Sequence, residues 1–189
     1  MHQCFAAGLL AVVVVSAEEC FKATITHDLE SYDPIILSIC PDLAPLGVDR
    51  FKELVEAKFF DKSPFFRYVP SFIVQFGIAY DPDVNSKWAH NEIEDDPVLT
   101  SNMQGTIVFA TAGPDTRTSQ LFINFKDNSG LDAQGFAPFG NVVSGAVAIF
   151  NPTPDDDGGI DQNMLSLKGG EWADAKYPGL NHITTVTIE

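Results

Sequence analysis

The chain has 189 residues, of which 45% are apolar and 20% are charged, an ordinary composition for one globular domain. Its 26 acidic and 11 basic residues give a net charge of −15, which argues against nucleic acid and anionic membrane surfaces as partners. The four histidines are scattered along the sequence, so no metal site is expected.

The first seventeen residues predict a secretory signal. Residues 5–17, FAAGLLAVVVVSA, form an uncharged apolar run that is short for a membrane span and ends in small residues. Cleavage after Ala17 would leave one domain over residues 18–189, without a membrane anchor. We therefore expect the protein in the secretory pathway, either secreted or in the ER lumen. An uncleaved anchor is the alternative, because only the amino terminus and His2 supply positive charge before the run.

Two β-rich runs follow, residues 20–26 and 34–40, and the polar residues 27–33 between them favour a hairpin loop. If that loop is centred on residue 30, Cys20 and Cys40 lie opposite each other on neighbouring strands, within disulfide reach. An oxidising compartment would favour such a bond. Two buried free cysteines remain the alternative.

The rest of the chain reads as short strands with two clear helices. The spacing of Phe51, Leu54 and Val55 predicts a helix over residues 46–58. Residues 63–77, SPFFRYVPSFIVQFG, predict two short strands broken at Pro70-Ser71. Further strands are predicted at 105–111, 119–125, 139–143 and 183–188, loops at 81–102, 112–118, 127–138 and 151–163, and short helices at 145–150 and 171–176. This pattern indicates an antiparallel β-barrel or sandwich.

Four short segments carry signatures that occur together in one known family. They are FFRYVPSFIVQ at 65–75, ATAGP at 110–114, SQLFI at 119–123 and LDAQGFAPFG at 131–140. In this order they resemble the signatures of the cyclophilin family of peptidyl-prolyl cis-trans isomerases, and the similarity extends from about Phe21 to Ile188. The resemblance implies a mainly β fold, an eight-stranded antiparallel barrel capped by two helices, with the substrate groove on the outer face of the barrel.

The resemblance also implies a role for each matched residue. Arg67 corresponds to the catalytic arginine of the family, and Gln75 to the glutamine that binds the substrate backbone and orients the arginine. The matched substrate-binding positions are Phe72, Ile73, Ala110, Thr111, Gln120, Phe122, Leu131 and Phe136. The implied protein is a monomer that needs no cofactor or metal and acts on proline-containing polypeptides.

Two matched positions depart from the usual pattern. Gly130 stands where the family often has a tryptophan, and Phe136 stands where a histidine is usual, after a one-residue insertion. The tryptophan gives cyclosporin-type inhibitors a hydrogen-bonding aromatic wall, so its loss predicts weaker inhibition.

The implied chemistry explains why two strongly polar side chains lie in so apolar a run. Resonance makes the X-Pro bond partly double, with a barrier of roughly 18–20 kcal/mol, and no bond has to be broken to isomerise it. A rigid, permanently charged donor can engage the imide nitrogen as it leaves conjugation, while an apolar pocket holds the ring. Arg67 and Gln75 are therefore expected to line a groove.

Each of these assignments has a plainer alternative. Arg67 could be a surface arginine with a buried stem, and Phe122 and Leu131 could be ordinary core residues. Two other functions are also consistent with the sequence: a cyclophilin-like module that binds proline segments with little turnover, and a secreted small-ligand carrier. The carrier requires a hollow apolar lumen, whereas the many phenylalanines predict a filled one.

Overall fold

The computed structural model describes residues 18–29, 32–145 and 159–189. No helix in these ranges is both long and apolar enough to cross a membrane. The elements are, in chain order, β1 (Phe21–His27), β2 (Ile35–Ile39), α1 (Pro45–Glu56), β3 (Arg67–Val69), β4 (Ile73–Phe76), α2 (Pro82–Trp88), β5 (Thr106–Phe109), β6 (Leu121–Asn124), a 3-10 helix (Ser129–Gln134), β7 (Pro138–Ser144), α3 (Gln162–Lys176) and β8 (Ile183–Ile188).

The eight strands form one curled antiparallel sheet in the order β3-β4-β6-β5-β7-β2-β1-β8. Backbone hydrogen bonds join the chain just before β3 to the chain around the start of β8. The amide of Phe65 donates to the carbonyl of Asn181, and the amide of Ile183 donates to the carbonyl of Ser63, both at 2.9 Å. The predicted fold class is confirmed, with three α-helices in the described residues instead of two.

Aromatic rings occupy the interior of the curled sheet. The ring of Phe139 lies 5.2 Å from that of Phe109 and 5.6 Å from that of Phe51, measured between centroids. Phe60 and Phe76 pack edge to face at 6.0 Å, and all five side chains are at most 1% exposed. Such close packing fills the interior with side chains. Within the described residues, the interior thus leaves no hollow lumen of the kind that a small-ligand carrier requires.

The first hairpin has the register that the sequence predicts. Phe21 pairs with Ile39 across β1 and β2, so Cys20 and Cys40 occupy the next opposed position. Their Cα atoms lie 4.1 Å apart and their sulfurs are bonded. The Cys20–Cys40 disulfide is thus present, in preference to two free thiols.

Reducing this disulfide is expected to lower the melting temperature by roughly 5–10 °C. The bond closes a loop with a sequence separation of 20, and a loop of that size stabilises a fold by about 3 kcal/mol in the chain-entropy model. The measurement compares melting with and without a reductant. The double variant Cys20→Ser, Cys40→Ser serves as the control, because a reductant should leave its melting temperature unchanged. Finding Cys20 and Cys40 reactive towards a thiol reagent in the unfolded, oxidised protein would contradict the bond.

Helix α2 lies inside residues 81–102, for which the sequence predicts a loop, and that prediction is wrong there. Asp81 accepts hydrogen bonds from the amides of Asp83 and Val84, and Pro82 occupies the first turn. Both are start signals for a helix. The helix is too short for its periodicity to stand out, so only the capping residues predict it.

Helix α3 is kinked at Gly169, whose backbone is not helical, so the predicted helix 171–176 corresponds to its second segment and the first segment, which begins at Gln162, was not predicted. Gly169 and Gly170 interrupt its pattern, which is why the sequence predicts only its end. The structure explains the pair: Gly169 has a φ of 75°, and a Cβ on Gly170 would lie 1.9 Å from the ring of Tyr80. The glycines let the helix approach Tyr80, whose carbonyl accepts from the amide of Gly170 at 2.7 Å.

Three predictions lie wholly or largely outside the described residues. These are the signal segment 1–17, the short helix 145–150 and the surface loop 151–163, of which the structure describes only positions 145 and 159–163.

Candidate active site

Strand alternation divides β4, β5 and β6 between the core and the outer face of the sheet. In β4, Val74 and Phe76 belong to the main core, whereas Ile73 belongs to a separate cluster with Val108 and Phe122. Partly buried apolar side chains pack against this outer cluster: Phe72, Ala110, Leu131 and Phe136. The outer face therefore carries an apolar surface of its own.

A pocket of about 170 Å³ opens over this apolar surface. All but one of the ten predicted catalytic and substrate-binding residues line it, namely Arg67, Phe72, Ile73, Gln75, Ala110, Thr111, Phe122, Leu131 and Phe136. The exception, Gln120, lies in an adjoining pocket. The structure thus brings together residues that are up to 69 positions apart in the sequence (67 to 136). Their individual roles stay predictions.

A chain of side-chain hydrogen bonds crosses one side of the pocket. Arg67 Nη1 donates to Gln75 Oε1 at 3.2 Å, and Gln75 Nε2 donates to Gln120 Oε1 at 2.8 Å. Gln75 is only 7% exposed, while Arg67 is half-buried. Because both atoms of the Gln75 amide are engaged, its orientation is fixed, and the Arg67 guanidinium is held over the pocket.

The antiparallel register places these side chains together. Arg67 pairs with Gln75 across β3 and β4, and Gln75 pairs with Phe122 across β4 and β6. No carboxylate of the described residues forms a salt bridge with Arg67. The guanidinium therefore keeps donors available for a bound molecule.

A tight turn sets the position of Phe72 at one end of the pocket. Pro70 and Ser71 form its centre, the amide of Phe72 donates to the carbonyl of Val69 at 3.0 Å, and Ser71 has a φ of 57°. A proline followed by a residue of positive φ is typical of a tight turn. The predicted break at Pro70-Ser71 is confirmed.

Two further residues that line the pocket are aromatic. Phe122 and Phe136 pack edge to face with ring centroids 5.6 Å apart. Phe122 is 3% exposed and Phe136 is half-buried. Edge-to-face pairs of this kind add to the stability that burial provides. Phe136, which departs from the usual family histidine, thus contributes an apolar ring to the pocket.

A polar cluster whose contacts the sequence did not reveal holds the backbone of two residues that line the pocket, Phe72 and Phe136. Asn128 donates to the carbonyl of Phe72 at 3.0 Å, and Asn102 donates to the carbonyl of Phe136 at 2.8 Å. Asp132 accepts from the side chain of Asn102 at 2.7 Å. Asp132 lies within the signature segment 131–140, but no local sequence pattern marks Asn102 or Asn128, because their partners lie far away along the chain.

The Asp132 carboxylate is the ionised member of this cluster. Burial acts to raise the pKa of Asp132, but hydrogen bonds from Ser101 and Asn102 outweigh it and hold the pKa below its usual value. A lowered pKa means that the carboxylate stabilises the fold above its unfolded-state pKa and that this contribution disappears as the pH falls through the folded-state pKa. At neutral pH the cluster is therefore fully formed.

A second pocket, of about 330 Å³, adjoins the first and shares Gln75, Ala110 and Thr111 with it. Its other lining residues are Ala112, Thr116, Thr118, Gln120 and Gln162. The loop after β5 forms its rim, where Thr111 and Thr116 hydroxyls lie 2.9 Å apart and the amide of Ala112 donates to Thr116 at 2.8 Å. Gln162 comes from α3 and was not among the predicted residues.

Comparison with known proteins agrees with this geometry. The sequence model of the family described as "Cyclophilin type peptidyl-prolyl cis-trans isomerase/CLD" matches residues 24–151. The chain belongs to the cyclophilin family. It is 35% identical over 150 residues to peptidyl-prolyl cis-trans isomerase A of Dickeya dadantii, an alignment covering 72% of this chain and 78% of that protein.

One further relative and one solved structure are also similar to this chain. The chain is 31% identical over 129 residues to a peptidyl-prolyl cis-trans isomerase of Acinetobacter baylyi, which covers 64% of this chain and 68% of that protein. Among solved structures, a cyclophilin-type peptidyl-prolyl cis-trans isomerase of Cryptosporidium parvum superposes with a TM-score of 0.66 at 17% identity, over 90% of this chain and 98% of that one. At that identity the likeness concerns the fold.

Proposed function

We propose that this cyclophilin is a peptidyl-prolyl cis-trans isomerase that accelerates rotation about X-Pro bonds in polypeptides and so assists their folding. The observation that carries the proposal is the Arg67–Gln75–Gln120 chain of hydrogen bonds at the edge of an apolar pocket. The two relatives named peptidyl-prolyl cis-trans isomerase support this proposal. A related structure was determined in the presence of the dipeptide Ala-Pro.

The proposed mechanism requires only non-covalent contacts. The proline ring enters the pocket between Phe72 and Phe122, where burial of its apolar surface holds it still. The preceding carbonyl then rotates about the C–N bond. As the bond twists, the nitrogen lone pair leaves conjugation with the carbonyl and becomes localised on the nitrogen, and the Arg67 guanidinium donates a hydrogen bond to it.

Preorganisation makes this contact effective. Gln75 holds the guanidinium in place before the substrate arrives, and Gln120 holds Gln75. A donor that is already aimed at developing charge stabilises the transition state by about 3 kcal/mol. The ground-state amide nitrogen is a poor acceptor, so Arg67 favours the twisted state over the planar one.

A protease-coupled assay tests the proposal. The protease cleaves only the trans form of a proline peptide, so the slow phase of cleavage reports the cis-to-trans rate. We expect that phase to accelerate in proportion to the concentration of this protein. An unchanged slow phase would contradict the proposed function.

A second candidate function is a binding module with little turnover. The observation that favours it is the pair of departures at positions 130 and 136, where Gly130 and Phe136 replace the residues usual in the family. These changes leave the contacts of Arg67 and Gln75 intact. Tight binding of a proline peptide without acceleration of its isomerisation would identify this function.

Gly130 also predicts a weak response to cyclosporin-type inhibitors. A Cβ at position 130 would meet no heavy atom within 4 Å, so a side chain can leave the backbone there without a clash at its first carbon. Gly130→Trp should therefore fold normally and bind cyclosporin at least about tenfold more tightly than the wild type, because it restores an aromatic wall and a donor. Isothermal titration of both proteins measures this. Gly130→Ala is the control and should match the wild type. Equal affinity for the wild type and the tryptophan variant would refute the prediction.

We also propose that the protein is a secretory-pathway form, secreted or held in the ER lumen, which acts as a monomer. The apolar segment 5–17 supports the location, as does the Cys20–Cys40 disulfide, since such bonds persist in oxidising compartments. The net charge of −15 suits partners that are neither nucleic acid nor anionic membrane.

Sequencing of the product tests the location. When the full chain is expressed with a carboxyl-terminal tag in a secreting cell, the mature protein should begin at or near Glu18. Recovery of a protein that begins at Met1 would refute cleavage.

A further inference from the structure

One wall of the second pocket comes from outside the residues that match the family. Gln162, the first residue of α3, lines this pocket with Gln75 and Gln120, whereas the family match ends at residue 151. We propose that Gln162 is a specificity-determining residue, which selects substrates carrying an uncharged, hydrogen-bonding side chain next to the X-Pro bond. The inference rests on the proposed isomerase function and names its preferred substrate class.

Backbone contacts fix the chain before Gln162 to the strand that carries Arg67. The amide of Ile160 donates to the carbonyl of Phe66 at 2.9 Å, and Gly159 pairs with Arg67 as an isolated antiparallel bridge. Ile160 is 4% exposed and belongs to a core cluster with Phe66. The approach at Gly159 is close, since a Cβ there would lie 3.1 Å from Arg67 Cγ.

The start of α3 is fixed as well. Asp161 caps the helix by accepting a hydrogen bond from the amide of Met164 at 3.0 Å. A capped helix end with an anchored preceding segment has little freedom to move. Gln162 is therefore part of the same rigid unit as Arg67, and its position relative to a substrate held by Arg67 is set by the fold.

The chemistry of the second pocket indicates what it selects. Its polar groups are the amides of three glutamines and the hydroxyls of three threonines, and no charged side chain of the described residues lines it. Amides and hydroxyls both donate and accept hydrogen bonds, so they can satisfy an asparagine, glutamine, serine or threonine side chain. A charged side chain would lose water there without gaining a counter-charge.

The position of this pocket decides which substrate residue enters it. It shares Gln75, Ala110 and Thr111 with the proline pocket. With a proline ring in the first pocket, a residue next to the X-Pro pair lies over the second. Gln162 lines the same pocket as these shared residues, so a substrate residue that enters it can contact Gln162.

The experiment uses peptides in which Gln, Lys or Ala occupies either position flanking the X-Pro pair. The proteins are the wild type, Gln162→Glu and Gln104→Glu, and the readout is the ratio of kcat/KM for the Lys peptide to that for the Gln peptide. The wild type should prefer Gln. Gln162→Glu should raise the Lys-to-Gln ratio about fivefold at one flanking position, because it supplies a partly buried counter-charge.

Gln104→Glu is the matched control. Gln104 is exposed and lines neither pocket, and its substitution changes the net charge by the same amount. It should leave the ratio at the wild-type value, which separates a local contact from general attraction of lysine by an acidic protein. A glutamate in the first turn of α3 suits the helix dipole, so the Gln162→Glu variant should fold.

The inference and the proposed function fail in different ways. Normal turnover with an unchanged ratio in Gln162→Glu at both positions overturns the role of Gln162 and leaves the isomerase intact. Absence of turnover in the wild type contradicts the isomerase. In that case the Lys-to-Gln ratio is measured from peptide affinities by titration. A shift of about fivefold in Gln162→Glu supports the role of Gln162, and no shift overturns it.

Discussion

Replacement of Arg67 with alanine is expected to lower kcat/KM for a proline peptide by about 100-fold, the loss that corresponds to removal of about 3 kcal/mol of transition-state stabilisation. The affinity for the peptide should change much less, because the pocket that holds the proline ring remains. The melting temperature should stay near that of the wild type, since Arg67 is half-buried and its side chain forms no salt bridge within the described residues.

Arg67→Lys provides the matched control for charge. It keeps a positive group at the same position but replaces a planar, multiply donating fork with a single ammonium. It should recover only part of the lost rate. Wild-type turnover in Arg67→Ala would show that Arg67 is a surface residue with a buried stem.

Phe122→Ala is the second large change, and its pattern should differ from that of Arg67→Ala. Phe122 is 3% exposed, lines the proline pocket and packs edge to face on Phe136. Loss of a buried phenylalanine costs about 3–5 kcal/mol, so the melting temperature should fall by about 10 °C. The Michaelis constant for a proline peptide should rise, because the ring loses one wall of its pocket.

Phe60→Ala separates the two effects. Phe60 is 1% exposed and packs in the main core rather than in the pocket. The Phe60→Ala variant should lose a comparable amount of stability. At temperatures below its melting range, its Michaelis constant should equal that of the wild type. Equal Michaelis constants for Phe122→Ala and the wild type would show that Phe122 belongs to the core alone.

The strands were predictable because their signals are local. Residues 20–26 and 34–40 are β-rich runs around a polar loop, and that symmetry was enough to predict the register that joins Cys20 to Cys40. The run 63–77 was divided correctly because proline followed by serine interrupts a strand. The helices α2 and α3 were predicted less completely than the strands. The start of α3 depends on the contact of two glycines with Tyr80, which no local pattern encodes.

The residues of the candidate site were likewise predictable only where a local sequence signal marks them. Residues such as Arg67 and Phe122 lie within the family signatures, and strand register then brings them to one pocket. Asn128 was missed because its role depends on a carbonyl 56 positions away. Gln162 was missed because it reaches the second pocket only through the pairing of residues 159–160 with β3. Sequence motifs identify the centre of the site, whereas tertiary packing decides its periphery.

Exchange spectroscopy measures directly whether this chain catalyses X-Pro rotation through Arg67. Nuclear magnetic resonance can follow cis and trans forms of one proline peptide at equilibrium, with wild-type protein or Arg67→Ala at a small fraction of the peptide concentration. Without a catalyst the exchange takes tens of seconds. We expect exchange peaks on a sub-second mixing time with the wild type and their near-complete loss with Arg67→Ala, although both proteins shift the peptide signals on binding. Binding by the wild type with the exchange rate of the free peptide would show that the protein binds proline peptides without catalysing their isomerisation.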